Sequence, residues 1–156
     1  MSPSKFSDMI KYELDNISLT IYFWDFDTTN PRGVHMTLEW LVERAHTYRV
    51  VVTGEELAEH HELLSQLANV ELIPSRNKAY VSARMYYVFE HARYGEIFSF
   101  LTHAVSSGAG AFDAVFVNGQ EVRGNRIFFE AVLPFMPESA ASEIQANVDF
   151  WLPASE

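Results

Sequence analysis

Two carboxylates one residue apart, Asp25 and Asp27, follow directly on the apolar run Ile21-Tyr22-Phe23-Trp24. Such a pair suits phosphoryl transfer. One carboxylate attacks phosphorus as a nucleophile and binds a divalent cation, while its neighbour acts as acid on the leaving group and base on the incoming water. Thr53-Gly54 closes a second apolar run, Val50-Val51-Val52. A threonine hydroxyl and the N–H groups of a following helix can together hold phosphate oxygens. Lys78, the only lysine after residue 11, can neutralise charge on the phosphate and the nucleophile, with Arg76 nearby as an alternative. Asn118 closes a third such run, 114–117, and offers an amide oxygen to a metal.

Each of these residues also has a plainer reading. Asp27 can cap a turn ahead of Asn30-Pro31. Thr53 can be a helix N-cap, since Thr53-Gly54-Glu55-Glu56 has the spacing of a capping box. Asn118-Gly119 can be the turn of a hairpin between 114–117 and 120–122, which would make those strands antiparallel.

The elements that must position these groups are read from periodicity. Phe6, Ile10 and Leu14 recur at helical spacing, so residues 1–16 hold a short N-terminal helix or arm. Residues 17–24 are β-branched and aromatic and become continuously apolar, as a buried strand does. Leu38, Leu41, Val42 and Ala45 predict an amphipathic helix starting at Thr37, and 49–52 a second strand. Residues 54–70 read as a second helix, with Leu57, Leu64 and Leu67 inward and Glu55 and Glu56 in a first turn that favours acids. A third strand is expected at 70–73, ended by Pro74, then one or two helices over 79–104, a loop at 106–110 and a fourth strand at 114–117. A helix over 140–148 lies within a C-terminal helix and tail, 134–156. Strand alternating with helix predicts a single α/β domain, 1–156, built as a Rossmann-like three-layer sandwich with a mostly parallel central sheet. In such a sheet the C-terminal ends of the strands share one rim. Asp25, Asp27, Thr53, Gly54, Lys78 and Asn118 would meet there.

The stretch Ile21-Tyr22-Phe23-Trp24-Asp25-Phe26-Asp27-Thr28-Thr29 resembles motif I of the haloacid dehalogenase superfamily, an apolar strand followed by Asp-x-Asp-x-Thr, and Val50-Val51-Val52-Thr53-Gly54 resembles its motif II. The resemblance covers roughly residues 17–120 and is general in character over 79–110. It implies a capless, magnesium-dependent phosphohydrolase. Asp25 would be phosphorylated, Asp27 would be the acid and base, Thr53 and Gly54 would hold the phosphoryl group, and Lys78 would support both. The family completes its Mg2+ site with acids after the fourth strand. Here Asn118-Gly119-Gln120-Glu121 stands in that place, a degenerate motif IV in which Asn118 would join Asp25 and Asp27 on the metal. No large cap fits between 30 and 36 or between the third strand and Lys78, so the resemblance implies an open pocket for a phosphorylated substrate whose identity the sequence does not specify.

Composition bounds the alternatives. Twenty-one acids against eleven basic residues give a net charge of −10, which argues against general nucleic-acid binding. The absence of cysteine removes disulfides, thiol nucleophiles and cysteine-ligated metals. No apolar window is long enough for a membrane span and the polar start does not read as a secretory signal, so a cytoplasmic location is expected. No Gly-rich dinucleotide loop follows the first strand. His60-His61 lies among glutamates and reads as part of a solvated acidic face. The rival to an enzyme is a binding module, either a catalytically inactive relative or another acidic α/β domain, that engages a basic protein partner through charge complementarity, with 55–62 as its first candidate surface. The apolar C-terminal tail either packs on the sheet or meets another copy in a homo-oligomer.

Overall fold

The chain folds, in a computed structural model describing residues 3–24, 26, 37–45, 47–75, 83–103 and 112–152, around one six-stranded sheet. The strands are β1 (Ile17–Phe23), β2 (Tyr48–Val52), β3 (Ala83–His91), β4 (Gly95–His103), β5 (Val115–Val117) and β6 (Gln120–Val122). Their order is β2-β1-β3-β4-β5-β6, and every neighbouring pair is antiparallel. The expected mostly parallel, Rossmann-like sandwich is therefore corrected. The cause lies in residues 79–104, expected to be helical. Their described part is the β3–β4 hairpin, the longest pairing in the sheet. The expected strand at 70–73 is not one of the six; the chain there touches the sheet through a single bridge from Pro74 to Val122.

Period-two alternation sorts each strand onto two faces. Ile17, Leu19, Ile21 and Phe23 of β1 point inward, opposite Val52, Val50 and Tyr48 of β2 on one side and Phe89, Tyr87 and Met85 of β3 on the other. All four are at most 2% exposed. Helices cover this inner face: α1 (Pro3–Tyr12), α3 (Gly54–Glu59), α4 (His61–Ala68), α5 (Arg126–Glu130) and α6 (Glu138–Trp151). The spacing expected of the N-terminal helix holds, with Phe6 and Ile10 buried. The helix expected over 54–70 forms but breaks into α3 and α4 at His60, whose ring meets Phe135 edge-on at 5.1 Å. Between sheet and helices the core is largely aromatic. Phe6 stacks on Phe98 at 4.7 Å, Tyr87 on Phe100 at 5.1 Å and Phe112 on Phe129 at 4.7 Å. Such ring pairs add to the stabilisation from burial. The Tyr87 hydroxyl donates to the Phe128 carbonyl at 2.7 Å, which satisfies the one polar atom this side chain carries into the core.

The outer face is covered differently. Thr37 accepts a hydrogen bond from the Trp40 N–H and caps α2 (Leu38–Trp40), which runs on as a π-helical turn, Leu41–Ala45. Leu41 is fully buried, with Tyr22, Trp24, Tyr86 and Leu101 around it in a second, small apolar cluster. At the far edge, Asn118 (φ 52°) and Gly119 (φ 80°) turn the chain from β5 into β6. Two consecutive residues at positive φ make the tight turn suited to a two-residue hairpin, so the hairpin reading of Asn118-Gly119 is the one the chain adopts. The outer edge of β6 is closed in turn by the 73–75 segment, with Arg123 N–H donating to the Ile73 carbonyl at 2.8 Å.

Candidate functional site

The antiparallel sheet sets the described members of the expected site, Thr53-Gly54 after β2 and Asn118 after β5, apart. Leu19 lies opposite Val52, and Phe23 opposite Tyr48, so Thr53 emerges at the end of β1 where that strand begins and Trp24 at the end where it finishes. Six residues of extended chain separate those two levels, roughly 20 Å at about 3.4 Å per residue. Asp25, Asp27 and Lys78 themselves lie outside the described residues. Phe26, between the two aspartates, is fully buried against Phe23 and Phe112, and its N–H donates to a Glu143 carboxylate oxygen at 2.9 Å. Sequence reasoning had no signal for Glu143, which α6 brings to this end of β1 from over a hundred positions away.

Thr53 precedes α3 without a side-chain capping bond, so the expected capping box is also corrected. Gly54 is packed so closely that a Cβ would stand 2.8 Å from the Leu14 carbonyl oxygen. Its small size serves backbone approach there. Asn118 is three strands away from β1, roughly 14 Å at a strand spacing of about 4.8 Å. Its side-chain oxygen already accepts from the Ser99 N–H at 2.9 Å, and its own N–H donates to the Ser99 carbonyl. A Mg2+ ligand needs an available oxygen about 2.1 Å from the ion, next to the other ligands. The Ser99 N–H engages one of the two lone pairs of the Asn118 amide oxygen. Among the described residues no cluster of three or more His, Asp or Glu side chains is arranged to hold a metal.

The outer face of the sheet builds a different feature. Between α2 and the strands lies a cleft of about 340 Å3, floored by Thr20, Tyr22, Tyr86 and Val88 and walled by Leu38 and Val42, with Glu39, Glu43, Arg49 and Glu90 around it. Strand register explains the floor, because Tyr22 is the partner of both Arg49 and Tyr86, and Thr20 of Val88. The Tyr22 and Tyr86 rings stack at 6.1 Å. Arg49 holds its guanidinium 5.8 Å from the Tyr22 ring centroid and donates from Nε to the Tyr22 hydroxyl at 3.4 Å. Glu39, Glu43 and Glu90 form no ion pair among the described residues.

Tyr86 reports the electrostatics of this cleft. Burial of its ring, then the negative charges of Glu96 and Glu90, push its phenol up to about 12. An unfolded tyrosine titrates near pH 10. Tyr86 therefore contributes stability that is fully present below about pH 10 and lost as pH rises through about 12. Tyr86→Phe is expected to make the alkaline fall in stability shallower across that window while leaving the neutral range nearly unchanged. Chemical denaturation of both proteins along a pH series checks this, and parallel alkaline profiles would show that Tyr86 is not the group responsible.

Elsewhere the polar contacts are structural. His91 is buried, accepts from the Arg93 N–H on Nδ1 and faces Glu13 from Nε2 at 3.0 Å, so the assigned arrangement ties the turn after α1 to the end of β3. Arg126 joins α5 to α6 by donating to Asp149 at 2.7 Å, Glu130 at 3.2 Å and the Leu152 carbonyl at 2.9 Å. The Arg126 bond, with a second from the Gln145 amide, holds the Asp149 carboxyl below its ordinary range. On α3 and α4, Glu55, Glu56, Glu59 and Glu62 are exposed and form no ion pair among the described residues.

No protein-family model, curated protein or solved structure matches this chain. Among the described residues no helix is long and apolar enough to cross a membrane.

Proposed function

We propose that this chain is an acidic binding module that engages a basic protein partner, and that it acts in the cytoplasm. One observation carries the reading: the glutamates along α2, α3 and α4 are exposed and form no ion pair among the described residues, in a chain of net charge −10. Uncompensated charge of one sign steers a partner of the opposite sign and favours its approach in one orientation. The antiparallel pairing of β1 with β2 supports the same reading, since it puts Thr53 at the opposite end of β1 from Trp24 rather than on a shared rim.

The test pairs two assays. Titration with lysozyme, a generic basic protein, is expected to show association that weakens at least ten-fold between about 0.05 M and about 0.5 M salt and is unaffected by Asp25→Asn. Hydrolysis of an aryl phosphate with magnesium is expected to stay at background. Magnesium-dependent turnover that Asp25→Asn abolishes would overturn the reading in favour of a phosphohydrolase, and so would the lack of any salt-sensitive association.

A further inference from the structure

We infer that the cleft between α2 and the outer face of the sheet receives an arginine side chain of the basic partner, its guanidinium stacking on the Tyr22–Tyr86 pair inside a rim of Glu39, Glu43 and Glu90. The inference rests on the binding-module reading and gives that reading a specific recognition site.

Three observations point to a guanidinium. The first is charge: among the described residues that line the cleft, three carboxylates without an ion-pair partner stand against one cation, Arg49. The second is an unused acceptor. Thr20 lines the cleft, is only 9% exposed, and its hydroxyl has no hydrogen-bond partner among the described residues. A guanidinium N–H can donate to that oxygen. The third is precedent within the molecule. Arg49 already lies over Tyr22, Arg44 lies 5.4 Å from the Trp40 ring centre on α2, and Arg84 lies 4.1 Å from that of Trp24 in the apolar cluster behind the cleft. The aromatic faces of this side of the sheet take planar cations, and arginine stacks on them better than the compact, strongly hydrated ammonium of lysine.

The probe is a labelled six-residue peptide of alternating glycine and arginine, compared with the same peptide carrying citrulline, which keeps the shape and removes the charge. The arginine peptide is expected to bind and to shift the backbone amide resonances of Thr20, Tyr22, Tyr86 and Val88, whereas the citrulline peptide does neither. Glu39→Gln combined with Glu43→Gln, both exposed and so without risk to folding, is expected to weaken binding about ten-fold. Thr20→Val, which keeps the shape and removes the acceptor, is expected to weaken it about five-fold. Glu55→Gln, Glu56→Gln and Glu59→Gln together change the net charge by one unit more and are expected to weaken it less than three-fold. The inference is overturned, with the binding-module reading intact, if lysozyme still associates but the α3 substitutions cost as much as the cleft substitutions, or if the shifted resonances map to α3. Loss of the lysozyme association itself would instead remove the reading beneath it.

Discussion

Phe100→Ala is expected to lower stability by about 3–5 kcal/mol, the range for truncating a buried phenylalanine. Phe100 is fully buried on β4, opposite Tyr87 on one side and Val117 on the other. Its ring meets Tyr87 at 5.1 Å, Phe128 at 5.4 Å and Phe129 at 5.2 Å. It therefore joins the two central strands to α5, and a cavity at this point has aromatic walls too stiff to collapse fully. At roughly 2–4 °C per kcal/mol for a chain of this size, the melting temperature should fall by roughly 6–20 °C. Phe150→Ala is the control: that ring is 74% exposed, and its loss should cost no more than about 0.5 kcal/mol. Thermal melts with near-ultraviolet circular dichroism check both. A Phe100→Ala protein as stable as the Phe150→Ala protein would show that the aromatic layer repacks freely.

Gly124→Ala is the second large effect, and its origin is steric. A Cβ at residue 124 would lie inside the Phe112 carbonyl oxygen, against backbone that cannot rotate away. To make room, the 112–114 segment must move, and with it the Phe112 ring, which stacks on Phe129 and meets Phe26 edge-on at 5.4 Å. The expected loss is about 3 kcal/mol. Gly119→Ala separates this from backbone preference. Gly119 has φ +80° with open space around its Cβ position, so alanine there should cost only the left-handed conformation, about 1–2 kcal/mol. Urea denaturation of the two variants should place Gly124→Ala clearly below Gly119→Ala. The reverse order would mean that the 112–114 segment yields at little cost.

The sequence reveals local elements well and their arrangement poorly. Helical spacing located α1 and α2, and β-branched runs located β1, β2 and β5, because those signals depend only on which residues must turn inward. The β3–β4 hairpin escaped because its turn, Ala92-Arg93-Tyr94, lacks the Asn-Gly or Asp-Gly pair that marks a tight hairpin. Its strands are also buried on enough positions to read as mostly apolar runs, which do not distinguish strand from helix. Two traces of the alternation were present: Glu90 interrupts the apolar run of β3, and Ser99 stands between Phe98 and Phe100. With that hairpin read as helix, the strands appeared parallel and the rim residues appeared to converge. Once the strands alternate in direction, Thr53 moves to the far end of β1 and Asn118 becomes a hairpin corner. The cleft was not legible at all, since Tyr22, Glu43 and Tyr86 come together only through the pairing of β1 with β3 and the return of α2 over the outer face.

The strand order also bears on how the chain reaches this state. β3 and β4 are joined by a short turn, and β5 and β6 by two residues, so both hairpins can close quickly and independently. β1 and β2, by contrast, reach the rest of the sheet only through β3, where Ile21 lies opposite Tyr87. Closing that long loop costs entropy before its contacts form, so the β1–β3 pairing is entropically the more demanding part of the sheet. The floor of the cleft is made from both halves, Thr20 and Tyr22 from one and Tyr86 and Val88 from the other. The floor of the cleft thus exists only once the two halves have paired.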